Sequence, residues 1–264
     1  MFSRSIFAAV TAVLLFATGA SALSLGTNIT VSDKVYSTAT GWYGQQEDNE
    51  VEPGNIATQD WDLEGFFLSG TTLAMVGGYN FVQGVTSGGH TFTSGDLFID
   101  VDGDAEYGPV NTNSGGAHPS LAINDTFGYD FVLDLDFATK TYSVIRLDQG
   151  ASTIMSSVYY AQNDESNPWR YLSGGTVLAA NQSLGYVAGL TDTGFAGDAY
   201  NNWHNAALVD LSFLGHGADF TVHFTMECGN DNLMGQAALP TPEPGTLLLL
   251  GTGLLGLLAW RRRP

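Results

Sequence analysis

Asp100, Asp102, Asp104 and Glu106 alternate through a short run, Asp-Val-Asp-Gly-Asp-Ala-Glu, that follows an apolar stretch. Carboxylates at positions 1, 3 and 5 of a tight turn can aim several oxygens at one centre, which a hard cation such as Ca²⁺ requires. Two readings fit these residues: an Asp-rich turn that binds Ca²⁺, and a solvated acidic hairpin turn. Asp134 and Asp136 form a second acidic pair. They sit two apart in an alternating pattern and so share one face of a strand. Paired carboxylates can perform acid–base chemistry on a glycosidic bond, although two acids on an outward strand face are more often only solvated.

The acidic turn resembles the opening of EF-hand and dockerin calcium loops. It departs from them at Ala105, where the EF-hand needs glycine, and at Asn111, where it expects a bidentate glutamate. An Asp-rich turn site therefore fits better than a true EF-hand. Other chemistry is sparse. The chain has no G-x-S-x-G, H-E-x-x-H, P-loop or dinucleotide fingerprint. His90, His118, His204, His216 and His223 fall at no metal-ligand spacing, although three of them could converge in space. Trp42, Trp169 and Trp203 lie in polar, Gly-rich surroundings, where exposed rings could stack on sugars. Packing over the end of the fold is the commoner fate of such rings. No catalytic residue is assigned, and a glycoside-active hydrolase remains a minor alternative. No enzymatic activity is expected.

The most specific constellation is at the carboxyl end. Pro242-Glu243-Pro244 is followed by an apolar run, Thr246 to Trp260, and then by Arg261, Arg262 and Arg263. Two prolines with fixed φ make the triplet stiff and extended. Fifteen residues of helix span about 22 Å, short of the roughly 30 Å hydrocarbon core. Snorkelling arginines make up part of the difference, and the positive-inside rule places them in the cytoplasm. This tail, residues 240–264, resembles the PEP-CTERM sorting signal of Gram-negative bacteria. The resemblance implies processing by exosortase, with the inner membrane as a transient anchor, and delivery to the cell surface or extracellular matrix. A plain carboxyl-terminal membrane anchor is the alternative.

The amino end points the same way. Arg4 precedes an apolar segment, Ile6 to Ala17, and Ala20-Ser21-Ala22 fits an A-x-A cleavage site. Residues 1–22 therefore read as a secretory signal peptide handled by the translocon. The intervening residues 23–239 suffice for one all-β domain.

That body is strongly acidic. The chain has 8 Lys and Arg against 27 Asp and Glu. Four of the basic residues are Arg4 and the terminal arginines, so only Lys34, Lys140, Arg146 and Arg170 remain in the body. Glu243 is the only acid outside it. Such a surface repels nucleic acid and anionic membranes; exopolysaccharide and divalent cations are compatible partners. Cys228 is the only cysteine, so no internal disulfide is possible. Its strand pattern places it inside, where a thiol is usually inert.

Several elements must position these groups. Leu23 to Ser69 reads as polar and turn-rich. Thr71 to Val85 reads as two short strands about Gly77-Gly78, followed by the short connection Ser87-Gly88-Gly89. Leu97, Ile99 and Val101 alternate with Asp96, Phe98 and Asp100, giving a strand with one mostly apolar face. Phe131 to Phe137 and Thr141 to Leu147 form a hairpin about Ala138-Thr139-Lys140. Ile154–Tyr160, Thr176–Ala180, Gly185–Leu190 and Ala206–Phe213 are further strands. Ala218 to Cys228 has the cleanest two-residue period in the chain. Asn230-Asp231-Asn232 reads as the turn that ends the last strand, and Gly235 to Leu239 as a linker. Many short strands with Gly-rich turns predict an all-β, antiparallel two-sheet sandwich, jelly-roll-like, flanked by a signal helix and a carboxyl-terminal transmembrane helix.

Overall fold

The computed structural model describes residues 25–31, 56, 58–105, 121–123, 127–148, 151–154, 167–199, 201–241 and 252. The expected cleavage-site residues Ala20 and Ala22, the triplet Pro242 to Pro244, Arg261 to Arg263 and Glu106 lie outside them, as do the expected signal and transmembrane helices. No helix among the described residues is long and apolar enough to cross a membrane.

Those residues form antiparallel strands: β1 Thr27–Asn28, β2 Thr30–Val31, β3 Leu63–Ser69, β4 Thr72–Gly77, β5 Val85–Ser87 and β6 His90–Phe92. Next come β7 Leu97–Asp100, β8 Leu121–Ile123, β9 Phe131–Asp136, β10 Thr141–Arg146, β11 Ser152–Ile154 and β12 Arg170–Ser173. The last are β13 Thr176–Ser183, β14 Gly185–Leu190, β15 His204–Asp210, β16 Asp219–Thr225 and β17 Asn232–Ala238. A five-stranded sheet runs β1-β3-β4-β15-β14, and a seven-stranded sheet runs β13-β10-β9-β7-β16-β17-β2. Two smaller sheets, β12-β11-β8 and β5-β6, stand outside this pair.

The two large sheets share one core. Leu63, Phe66, Leu73, Met75 and Val209 from the first pack with Ile99, Leu133, Val144, Val222, Phe224 and Leu233 from the second. Full burial of each such side chain stabilises the fold by about 1.5–3 kcal/mol. Gly235 shows how closely the sheets approach: a Cβ there would lie 3.0 Å from Phe66 Cδ2 and 3.1 Å from Phe66 Cβ on the facing sheet.

The strand hairpin β9–β10 and the alternation in β16 follow their sequence patterns. Phe220, Val222, Phe224, Met226 and Cys228 are all buried, and burial pushes the Cys228 thiol up to about 12. Three local expectations are corrected. The segment before Ser69 contributes a core strand, β3. It turns into β4 at Gly70-Thr71, so Gly77-Gly78 is not the hairpin turn. Gly78 instead sits against Gln59, whose carbonyl oxygen would lie 2.0 Å from any Cβ there. Residues 232–238 are not a linker but β17, paired along its length with β16 and also with β2. Both faces of β7 are buried. Phe98 joins Phe127, Tyr129, Val132, Ile145 and Leu147 in a separate buried cluster.

Candidate functional site

The acidic turn is built by the end of β7 and the approach to β9. The antiparallel register pairs Ile99 with Phe131, so Asp100 leaves its strand beside Asp130. Asp100, Asp102 and Asp130 each present a carboxylate oxygen within 4.8 Å of the others. The turn is held by its own acids. The N–H groups of Asp102 and Gly103 donate to Asp100 Oδ1 at 3.1 and 2.9 Å. Val101 N–H donates to Asp130 Oδ2 at 2.7 Å, and Asp104 N–H to Asp102 Oδ1 at 3.3 Å. Gly128 leaves room for Asp104, whose Oδ1 would lie 2.9 Å from a Cβ there; the glycine also has φ of +75°.

Crowding raises two of these carboxyls. Asp104 is raised by its hydrogen bond with Asp102 and then by the Asp102 charge. Asp130 is raised by burial and by the charges of Asp102 and Asp100, against the lowering effect of the Val101 N–H. Like charges that disfavour each other's ionised form are relieved by a proton or by a cation. Of the four acids singled out by spacing, Asp100 and Asp102 are in this group, Asp104 borders it, and Glu106 lies outside the described residues. Asp130 was not singled out. Its signal was the register of β7 on β9, which spacing along one segment does not reveal.

The second acidic pair lies elsewhere. Asp134 is partly buried and Asp136 exposed, both on β9. Burial raises the Asp134 carboxyl, with Arg170 opposing and Asp136 assisting. The backbone N–H and the hydroxyl of Thr139, with the N–H of Ala138, lower Asp136. Nearby, Asp96 is fully buried. It accepts the N–H of Leu135 and of Tyr171, each at 2.8 Å, and Arg170 Nε lies 3.9 Å away.

The aromatic and histidine expectations resolve individually. Trp169 is only 7 % exposed, with the Arg170 guanidinium carbon 5.6 Å from its ring centroid, so it is no stacking platform. Trp203 is exposed, and Trp42 lies outside the described residues. His204 is buried 2.7 Å from buried Glu64. His90 lies 3.0 Å from Glu227, and His216 meets the Pro240 carbonyl at 3.2 Å. His223 is buried near Tyr129. Among the described residues, no histidine joins a cluster of three or more metal-type ligands. His118 lies outside them.

The segment Met226 to Asn232 works as a structural hub. Glu227 Oε2 accepts from the Thr93 N–H at 3.0 Å. Asn230 clamps the backbone of Ile56, accepting its N–H at 3.0 Å and donating to its carbonyl at 3.1 Å. Asp231 Oδ2 accepts the Leu63 N–H at 2.6 Å.

The carboxyl end carries a recognised motif. Residues 240–263 match the family model of the PEP-CTERM protein-sorting motif. The chain therefore carries an exosortase recognition signal, which implies export and transient membrane anchoring before surface display. Neither a search of curated proteins nor one of solved structures returned a match.

Proposed function

We propose that this chain is an exosortase-sorted protein of a Gram-negative envelope, released to the cell surface or extracellular matrix, where its acidic β-domain plays a structural or interaction role without catalysis. One observation carries the reading: the match to the sorting motif over residues 240–263. The signal-peptide pattern at residues 1–22 supports it, as does a charge balance that suits an extracellular polymer better than nucleic acid. Its partners are the secretion translocon, then exosortase in the inner membrane, then the exopolysaccharide.

The test is expression in matched hosts with and without exosortase. In the first, the mature chain reaches the surface or medium, and mass spectrometry finds a new carboxyl terminus near Pro242. In the second, it stays in the membrane fraction with Arg263 intact. Identical fractionation in both hosts, or an intact tail on surface protein, would sink the proposal.

A second reading is a calcium-assisted, lectin-like carbohydrate-binding module. The convergence of Asp100, Asp102 and Asp130 favours it. Pull-down of the protein on matrix polysaccharide, with and without EDTA, separates the readings. Retention that EDTA abolishes supports this one, and no retention removes it.

A further inference from the structure

The seven-stranded sheet has a gap. Strand β7 pairs with β9 only as far as Leu97 opposite Leu133, and β9 continues to Asp136. At the gap Asp96 replaces the missing strand, taking the Leu135 N–H with one carboxylate oxygen and the Tyr171 N–H with the other. Over the gap lies a groove of about 370 Å³ between the end of β9 and the residues flanking the β5–β6 hairpin. Asp134 and Asp136 line it, with Arg170, Thr93, Val82 and Phe137.

Arg170 is a cation set in place. It is one of four basic residues in the acidic body. Its Nε lies 3.9 Å from the fully buried Asp96, its guanidinium carbon lies 5.6 Å from the Trp169 ring centroid, and its side chain stays 40 % exposed. Its planar guanidinium offers N–H donors at the groove wall.

The lining discriminates among ligand classes. An anion would meet Asp134 and Asp136. An amine would meet Arg170. Among the described residues, the cluster close enough to share a cation is Asp100, Asp102 and Asp130, not this one. A neutral, hydroxyl-rich ring satisfies every part. Carboxylates accept its O–H groups in strong charge-assisted hydrogen bonds, and the guanidinium donates to its oxygens. Val82 and Phe137 cover its C–H surface. The volume falls in the range of about 300–1,000 Å³ found for small-ligand sites.

We propose that this groove binds an uncharged sugar unit of a polysaccharide. The proposal rests on the interaction role given above and names its ligand class. The groove, not the exposed Trp203 or the acidic turn, makes the contact.

The test is calorimetric titration of the exported full chain with uncharged gluco-, galacto- and manno-oligosaccharides, in EDTA. At least one binds, and both Asp136→Asn and Arg170→Gln weaken it by about tenfold or more. Asp136→Asn keeps Oδ1, which accepts the Ala138 and Thr139 N–H groups, so the turn is preserved. Absence of binding up to about 10 mM sugar, or unchanged affinity in Asp136→Asn, overturns the proposal. Binding that returns only with added Ca²⁺ also overturns it, because the ligand then belongs to the acidic turn. Asp136→Asn leaves the tail untouched, so cell fractionation of the same variant reports on sorting separately.

Discussion

Asp231 reaches from the turn before β17 to the first residue of β3, and its Oδ2 accepts the Leu63 N–H at 2.6 Å. Its other oxygen accepts the N–H of Asn232 at 2.8 Å. One buried carboxylate thus begins two strands, one in each large sheet, and ties the layers together at a point where neither sheet's own ladder can.

Replacing it should be costly. Asp231→Ala leaves the Leu63 N–H buried without its acceptor, at about 1–3 kcal/mol for the orphaned group alone. The expected result is a clear fall in the denaturant midpoint. A midpoint within error of the wild type would mean that Leu63 finds another partner.

The buried pair of Glu64 and His204 gives a second expectation. Burial works against the imidazolium, but the Glu64 hydrogen bond and charge, with the carbonyls of Leu190 and Ala196, outweigh it and raise the imidazole above its ordinary value. Gln59 Nε2 donates to the same Glu64 oxygen at 2.6 Å. Glu64→Ala should cost about 3–5 kcal/mol, as for other buried pairs that lose one member. In NMR, His204 should titrate above the ordinary histidine value and drop in Glu64→Gln. Because the folded value is the higher one, the pair's contribution is present below the unfolded value and is lost as pH rises through the folded one.

Asp96 sets a pH dependence with a definite sign. Burial raises its carboxyl from 3.8 to about 7, against Arg170 and two backbone N–H groups. The folded protein therefore holds a proton that the unfolded chain has released across that interval. Stability should fall as pH rises from about 4 to about 7 and then level off. Repulsion among the many other acids acts in the same direction. Melting temperatures across this range test the sign, and Asp96→Asn should flatten the slope. A melting temperature that climbs steadily from pH 4 to pH 7 contradicts it.

Calcium at the acidic turn makes its own prediction. Ca²⁺ should raise the melting temperature of the exported protein and EDTA should lower it, since a ligand of the folded state stabilises by mass action. Asp102→Ala should abolish the difference. Asp102 is exposed, so its replacement removes a ligand without opening the core. Superimposable curves with and without EDTA would leave the turn as a solvated acidic hairpin.

What the sequence disclosed followed from periodicity. The β9–β10 hairpin and β16 were legible because one face of each sends alternate apolar side chains into the shared core, although Val132 and Ile145 on the other face meet the second cluster. Elements that depart from alternation were hidden. In β3, Glu64 stands in an otherwise apolar run; it is buried against His204, which lies far off in sequence. In β17, Asn232 suggests a turn and Gly235 and Gln236 a linker, yet the glycine makes room for Phe66 and the asparagine is buried. Asp130 was invisible for a related reason: its place beside Asp100 depends on which strands pair. The sorting tail was the opposite case. Its meaning lies in the local order of three segments, and the family match over residues 240–263 agrees with it.

Strand β17 lies between β16 and β2, and its pairing is complete at Ala238. The next residue, Leu239, is buried and exchanges backbone hydrogen bonds with Gly217 and Ala218. The ladder is therefore closed before Pro242, the first residue of the triplet. A cut anywhere from there onward detaches the postal label while every rung of the parcel stays tied.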